Sequence, residues 1–200
     1  MLEIRKGEWL IIFFNLAYVL AFGLYYLSAK NYEFLSYVFV LVFFFLLIGL
    51  TLRKSNFDYL ILWGLSLWGF FHMAGGGIRI GGDVLYALHL IPLVNGGGDF
   101  FILKFDQFVH AFGFGVTTLV GWHLLKPYLN PKTNYKIIYV LLVAIAMGAG
   151  ALNEIIEFVS VLLIPNNGVG GYFNTALDLV FNMIGSIIAL FIVHFYYRRK

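Results

Sequence analysis

The 200-residue sequence contains no cysteine, and only 12% of its residues are charged, whereas about 25% are charged in an ordinary soluble domain. The lack of cysteine excludes disulfides, thiolate metal sites and a cysteine nucleophile. The sequence also has no P-loop, nucleophile elbow or HExxH pattern, which excludes the enzyme classes that those motifs mark. What remains is a chain that is 62% apolar and 20% aromatic, a composition typical of a membrane protein.

Long apolar runs separated by short polar connections fill the sequence. A helix needs about 20 apolar residues to cross about 30 Å of hydrocarbon. We therefore predict an all-α, polytopic integral membrane protein that forms a single transmembrane domain over residues 1–200. Its six predicted helices cover residues 9–29, 34–52, 59–74, 106–125, 135–164 and 175–197.

The basic residues are distributed unequally between the two sides of this predicted topology. Ten of the 13 belong to the termini and to the loops after the second and fourth helices: Arg5, Lys6, Arg53, Lys54, Lys126, Lys132, Lys136, Arg198, Arg199 and Lys200. The other three are Lys30, Arg79 and Lys104. Basic residues accumulate on the cytoplasmic side of membrane proteins. We therefore expect a multi-pass protein of the plasma (inner) membrane with both termini in the cytoplasm.

The connection at residues 75–105 is unusually long and rich in glycine, and the same topology places it outside the membrane. Asn95-Gly96 separates two apolar runs at residues 84–94 and 100–105, which is a hairpin signal. We predict a hairpin or short re-entrant element here, with the glycine clusters at 75–77, 81–82 and 96–98 as its hinges. A flexible tether is the alternative, and the glycines could also form a backbone nest for an anion.

Four carboxylates fall inside the predicted helices: Asp106, Glu154, Glu157 and Asp178. Apart from Lys136, the second residue of the fifth span, no lysine or arginine lies inside a predicted span. Carboxylates are costly in hydrocarbon and normally face the interior of the bundle. Residues three or four positions apart share one face of a helix, so polar pairs form on three helices: Asp106 with His110, Glu154 with Glu157, and Asp178 with Asn182.

These residues also share one predicted depth. At 1.5 Å per residue, Asp106 and Asp178 lie about 30 Å from the inner basic flank of their helices. Glu154 and His72 lie about 27 Å from theirs. Four helices are therefore expected to present histidine and carboxylate groups at one level, near the outer boundary of the hydrocarbon.

The acids must be neutralised by protons, by a bound metal, or by Arg79 or Lys104 reaching in from the outer loop. A set of histidine and carboxylate groups without sulfur suits zinc, manganese or non-haem iron. We predict His72, His110, Glu154 and Asp178 as the ligands of a divalent transition metal, with Glu157 or Asp106 as the general base. Four further polar residues complete the predicted site: Asn182, Asn153, His89 and Arg79.

This site leaves three functional interpretations open. The first is a metal-dependent hydrolase or transferase that acts on a lipid or a cell-envelope precursor. The second is a proton- or cation-coupled transporter or binding protein that uses the same acids. The third is a structural protein whose acids form a protonated, hydrogen-bonded core. Membrane lipids are the expected partners, and the sequence shows no footprint of nucleic-acid binding.

The order of the motifs between residues 71 and 190 resembles that of the VanZ-like membrane proteins. The matching residues are Asp106-Gln107-Phe108-Val109-His110, Glu154-Ile155-Ile156-Glu157, and Asp178, Asn182 and Gly185. The segments His72-Met73-Ala74-Gly75-Gly76, His89-Leu90-Ile91-Pro92 and 106–113 resemble the YjdF-like inner-membrane family. The resemblance implies a location in the cell envelope and a site at these residues.

The sequence departs from the VanZ-like pattern at three places. Gln107 replaces its lysine, Glu157 replaces its glutamine, and the arginine before its last aspartate is absent. This chain therefore has one carboxylate more and fewer cations than that pattern, which favours a metal or shared protons at the site.

Overall fold

The computed structural model describes residues 4–96, 100–164 and 170–198. Six α-helices account for most of these residues, which confirms the predicted all-α class. They are α1 (Lys6–Ser28), α2 (Tyr32–Ser55), α3 (Tyr59–Gly77), α4 (Phe105–Leu125), α5 (Tyr135–Leu163) and α6 (Tyr172–Ile192). Short 3-10 turns lie at Leu85–Ala87 and Lys126–Tyr128, and a π-helical turn at Val193–Tyr197 continues α6.

Five of the six helices are long and apolar enough to cross a membrane: Lys6–Ser28, Tyr32–Ser55, Phe105–Tyr128, Tyr135–Leu163 and Tyr172–Tyr197. The exception among the described residues is α3. Its 19 residues include five glycines, two tryptophans and a histidine, which lower its hydropathy. The predicted count of six spans is therefore approximate, with five helices meeting both requirements.

Side-chain caps fix where several helices begin. Asn31 accepts a hydrogen bond from Phe34 N (3.1 Å), and Asp58 accepts one from Ile61 N (3.0 Å). Such caps satisfy backbone N–H groups that have no partner within the helix. At the end of α2, Asn56 adopts a left-handed conformation with φ +46°, which stops the helix.

The chain divides into two compact units, Met1–Leu88 and His89–Lys200. The prediction that they form one transmembrane domain stays a prediction. The first unit contains α1, α2 and α3, and its core is largely aromatic, with Tyr18, Tyr26, Phe34, Tyr37 and Met73 buried together. A polar link crosses this unit, where Asn15 Nδ2 donates to Ser66 Oγ at 2.8 Å.

The first unit also ends in a short hairpin that the sequence did not single out as a separate element. Strands β1 (Arg79–Ile80) and β2 (Asp83–Val84) pair in antiparallel fashion. Gly81 and Gly82 form the turn with φ values of +63° and +99°. Two positive φ angles in succession match a tight hairpin turn and favour glycine at both places.

The glycines at residues 75–77 were predicted to act as a hinge, and this prediction is wrong. They form the last turn of α3. Their missing Cβ atoms admit aromatic rings: a Cβ at Gly75 would lie 2.5 Å from the Tyr86 ring, and one at Gly76 would overlap the Phe34 ring. The cluster therefore serves close packing within the first unit.

The second unit begins with the hairpin that Asn95-Gly96 predicts. Strand β3 (His89–Asn95) pairs in antiparallel fashion with β4 (Phe101–Lys104), with Asn95 opposite Phe101. The predicted hairpin is therefore confirmed. The predicted hinge at residues 96–98 includes Gly97 and Gly98, which lie outside the described residues.

Helices α4 and α6 pack backbone against backbone in the second unit. A Cβ at Gly185 would overlap the carbonyl oxygen of Ala111, and one at Gly115 would lie 3.1 Å from the Gly185 oxygen. Further along the same interface, Thr118 Oγ1 donates to Ser186 Oγ at 2.8 Å. This close approach brings the polar residues in the first turns of α4 and α6 together.

Candidate metal centre

His110 lies at the centre of the polar cluster in the second unit, on the second turn of α4, and is only 6% exposed. Its Nδ1 atom is 3.0 Å from Asn182 Oδ1 on α6 and 3.8 Å from Glu154 Oε1 on α5. Its Nε2 atom is 3.7 Å from Asp106 Oδ1, one turn earlier on α4. The imidazole is therefore surrounded by oxygen atoms from three helices.

Asn174, in the first turn of α6, connects the two aspartates. Its Nδ2 atom donates to Asp106 Oδ2 at 3.2 Å and to Asp178 Oδ2 at 2.6 Å. Asp178 is fully buried, and its other oxygen, Oδ1, accepts no hydrogen bond among the described residues. Each aspartate therefore has one oxygen held by Asn174 and a second oxygen that points elsewhere.

The two glutamates of α5 occupy different environments. The side chain of Glu154 is 9% exposed, and neither of its oxygens accepts a hydrogen bond of normal geometry among the described residues, although Asn153 and Thr175 lie near it. Glu157 Oε1 accepts a hydrogen bond from Asn153 Nδ2 at 2.7 Å. Glu154 is thus the carboxylate whose burial is least compensated by hydrogen bonding.

Two groups of side chains offer ligand atoms within 4.8 Å of one another. One group is Asp106, His110 and Asp178, and the other is His110, Glu154 and Glu157. The structure thus brings together the four acids that the sequence placed inside the membrane. Both groups include His110, which makes this side chain the common point of the cluster.

The other predicted site residues have different surroundings. His72 belongs to the first unit, where its Nδ1 lies 2.6 Å from the Tyr86 hydroxyl, and its predicted role as a ligand stays a prediction. Arg79 lies in the β1–β2 hairpin and donates to the Gly82 carbonyl at 3.3 Å. His89 stacks on Phe101 with ring centroids 3.6 Å apart, and it belongs to neither ligand group among the described residues.

Lys104 supplies positive charge near the acids. It immediately precedes α4, and its positive charge attracts the carboxylate of Asp178. Of the two loop cations that the sequence offered for neutralisation, Lys104 belongs to the same unit as the acids, and Arg79 belongs to the other unit.

Asn174, Gly150 and Gln107 also shape this site, although the sequence did not single them out for these roles. The signal for Asn174 was its position four residues before Asp178. A Cβ at Gly150 would lie 2.5 Å from Asn182 Nδ2, so this glycine makes room for the amide that holds His110. No pattern in a single sequence distinguishes that glycine from the exposed Gly148 nearby.

Hydrogen bonds from the side chain of Gln107 connect the β3–β4 hairpin to the start of α4. Its Oε1 accepts hydrogen bonds from Leu103 N (3.0 Å) and Lys104 N (3.1 Å), and its Nε2 donates to Phe101 O at 3.0 Å. Leu103 has φ +95°, a backbone conformation that is unfavourable for a residue with a side chain. The glutamine that replaces the lysine of the VanZ-like pattern thus serves the junction between hairpin and helix.

Comparison with known proteins gives a family but no activity. The family model described as "Predicted membrane protein (DUF2238)" matches residues 8–199. No curated protein and no solved structure matches the chain significantly. The match supports a membrane protein with several apolar helices, whereas the VanZ-like resemblance still depends on the short motifs alone.

Proposed function

The chain belongs to this DUF2238 family of predicted membrane proteins, and we propose that it is a membrane-embedded metalloenzyme with its metal centre at His110, Asp106 and Asp178. The proposed activity is hydrolysis or group transfer on a lipid or cell-envelope precursor. The centre belongs to the second unit and joins α4 with α6.

The arrangement of hydrogen bonds around the three ligands is the observation that carries this proposal. If the N–H at Nδ1 of His110 donates to Asn182 Oδ1, the lone pair lies on Nε2, on the side of Asp106. Asn174 holds one oxygen of each aspartate and leaves the other available. Metal-bound histidines and carboxylates are typically oriented by such hydrogen bonds to their remaining polar atoms. The available atoms are therefore His110 Nε2, Asp106 Oδ1 and Asp178 Oδ1.

The donor set restricts the choice of metal. One imidazole and two carboxylates provide nitrogen and oxygen donors without sulfur, which suits zinc, manganese or non-haem iron. The buried Oδ1 of Asp178, without a partner among the described residues, fits a metal because an isolated carboxylate oxygen is costly inside a protein. Glu154 lies on the other side of His110, with its Oε1 3.8 Å from Nδ1, and belongs to the second ligand group.

The chemistry proposed for this site needs a carboxylate outside the ligand set. When bound, a metal of this class acts as a Lewis acid and lowers the pKa of bound water. Because this proposal makes Asp106 a ligand, Glu157 is the general base. Asn153 Nδ2 donates to its Oε1 at 2.7 Å, which orients the carboxylate that would accept a proton from a water or from a substrate hydroxyl.

The substrate class follows from the location proposed for the site. The basic residues favour cytoplasmic termini, which would place the first turns of α4 and α6 at the outer face of the plasma membrane. A site at that level is accessible to lipid headgroups and to envelope precursors carried on lipids.

A cation- or proton-coupled transporter is the second candidate, and Glu154 favours it. Carboxylates buried among membrane helices mark ion and proton pathways, and neither oxygen of Glu154 has a hydrogen-bond partner of normal geometry among the described residues. A transporter would exchange its cation readily, whereas a catalytic centre retains its metal through purification and dialysis.

Metal titration tests the proposed centre. Protein stripped with a chelator is titrated with Zn²⁺ or Mn²⁺ in competition with a fluorescent indicator, and we expect one site in the wild type. Asp178→Asn should weaken binding at least about tenfold, since it removes a ligand charge. Ser186→Ala is the matched control, because Ser186 is a buried polar residue of α6 that bonds to Thr118 instead. Equal affinity of wild type and Asp178→Asn would overturn the proposal.

A further inference from the structure

The β3–β4 hairpin carries apolar side chains that no described part of the protein covers. In β3, Leu90 is 40% exposed, Ile91 53%, Leu93 62% and Val94 44%. Successive residues of a strand point to opposite faces, so the pairs Leu90-Ile91 and Leu93-Val94 expose apolar groups on both faces. A strand that packs one face on a protein core would show alternation instead.

The position of this hairpin is fixed relative to α4. β4 ends at Lys104 and α4 begins at Phe105, so no linker residue separates the hairpin from a helix that can span the membrane. Phe101 is only 3% exposed, and Gln107 bonds to the backbone of β4. The hairpin is therefore held at the end of a membrane helix, within reach of the lipid–water boundary.

The surroundings of the hairpin match that boundary. The ring of Phe100 lies 5.5 Å from the ring of Phe173, and Tyr172 at the start of α6 is 82% exposed. Aromatic side chains are enriched at the membrane–water interface. At the base of the hairpin, Lys104 lies opposite His89, which adds a cation at the level of phosphate headgroups.

We propose that the β3–β4 hairpin lies in the interfacial layer of the outer leaflet and that membrane phospholipid covers its apolar side chains. The free backbone edge of a two-stranded hairpin needs hydrogen-bond partners, which the hydrocarbon centre lacks and the headgroup layer provides. Lipid rather than a second copy of the chain is favoured because both faces are apolar and the base is cationic. The inference does not depend on a metal.

This location has a consequence for the neighbouring polar cluster. Gln107, which holds the hairpin, directly follows Asp106. Phospholipid that covers the hairpin therefore lies near Asp106 at the start of α4. A lipid substrate would reach this carboxylate laterally from the leaflet.

Fluorescence quenching by spin-labelled lipid tests the inference, and the cysteine-free sequence allows single labels. Leu93→Cys is labelled with the fluorophore NBD and reconstituted into phosphatidylcholine–phosphatidylglycerol vesicles. Some of the lipids carry a nitroxide near the headgroup. Lys132→Cys, in the polar turn between α4 and α5, is the control. We expect blue-shifted emission and at least twofold quenching for Leu93→Cys, with water-like emission for the control.

Two results would overturn the inference. Water-like emission at Leu93→Cys without quenching would place the hairpin in solvent. Blue-shifted emission without quenching by the nitroxide lipid would mean that protein, such as a second copy, covers it. Circular dichroism of each labelled variant verifies the fold. The same measurement in an Asp178→Asn background keeps this result separate from metal binding, because the hairpin should stay in the interface when the metal site is lost.

Discussion

At the scale of single residues, Asn182 decides which nitrogen of His110 is available. Its Oδ1 lies 3.0 Å from Nδ1, so an N–H at Nδ1 leaves Nε2 as the ligand. Asn182→Leu removes this partner while keeping a similar volume. We expect metal affinity to fall about 10- to 100-fold, the usual effect of losing a hydrogen bond that orients a ligand.

Indicator competition at equilibrium measures this change, with Ser186→Ala on the same helix as the control. Unchanged affinity in Asn182→Leu, with the fold intact by circular dichroism, would mean that His110 binds no metal through Nε2.

Glu157→Gln distinguishes a catalytic role of this carboxylate from a structural one. Glutamine keeps the shape and hydrogen-bonding reach of the side chain but cannot take up a proton as a carboxylate does. We expect an unchanged melting temperature and retained metal, with activity lowered about 10²- to 10⁴-fold. If deletion of the gene makes cells sensitive to envelope antibiotics, the variant should fail to restore resistance.

Full complementation by Glu157→Gln would remove this residue from the catalytic assignment. A large fall in melting temperature would show instead that the ionised carboxylate holds the structure. The VanZ-like pattern has glutamine at this position, so the variant also tests whether this chain differs chemically from that pattern.

At the scale of helices, the contact between α4 and α6 depends on Gly185. A methyl group there would overlap the Ala111 carbonyl oxygen, and backbone atoms cannot rotate away as side chains can. We expect Gly185→Ala to destabilise the protein by at least about 1–3 kcal/mol, the usual cost of overpacking, and to weaken metal binding because the ligands lie on both helices.

Thermal unfolding in detergent, combined with the metal titration, checks this expectation. Gly148→Ala on α5 is the control, because no atom beyond its own stretch of helix backbone lies within 4 Å of its added Cβ. Equal melting temperatures for the two variants would contradict the close approach of α4 and α6.

The elements differ in how well a single sequence predicts them. Helix positions followed from long apolar runs, and the β3–β4 hairpin followed from Asn95-Gly96, because both signals are local. The packing role of Gly76 could not be predicted, because a glycine cluster has the same sequence whether it bends the chain or makes room for the Phe34 ring. The constant rise per residue predicted one common depth for Asp106, Glu154 and Asp178, but it gave His72 the same depth and did not show that Asn174 connects the two aspartates.

At the scale of the whole molecule, the distribution of basic residues predicts the orientation in the membrane. A reporter that is active only outside the cytoplasm should give no signal when fused at Lys200 and a strong signal when inserted at Asn167. Both positions lie outside the described residues, between or beyond α5 and α6. The reverse pattern would place the carboxylate cluster on the cytoplasmic side and exclude an outer-leaflet substrate.

X-ray absorption spectroscopy of the purified protein, combined with its elemental content, tests the metal centre most directly. The account predicts about one equivalent of zinc, manganese or iron, with a single imidazole nitrogen and otherwise oxygen ligands, because His110 is the histidine that α4 and α6 surround with carboxylates. Coordination by two imidazoles would indicate that His72 binds the metal together with His110, as the sequence predicts. Stable, fully folded protein that contains no metal and takes up none would contradict the account.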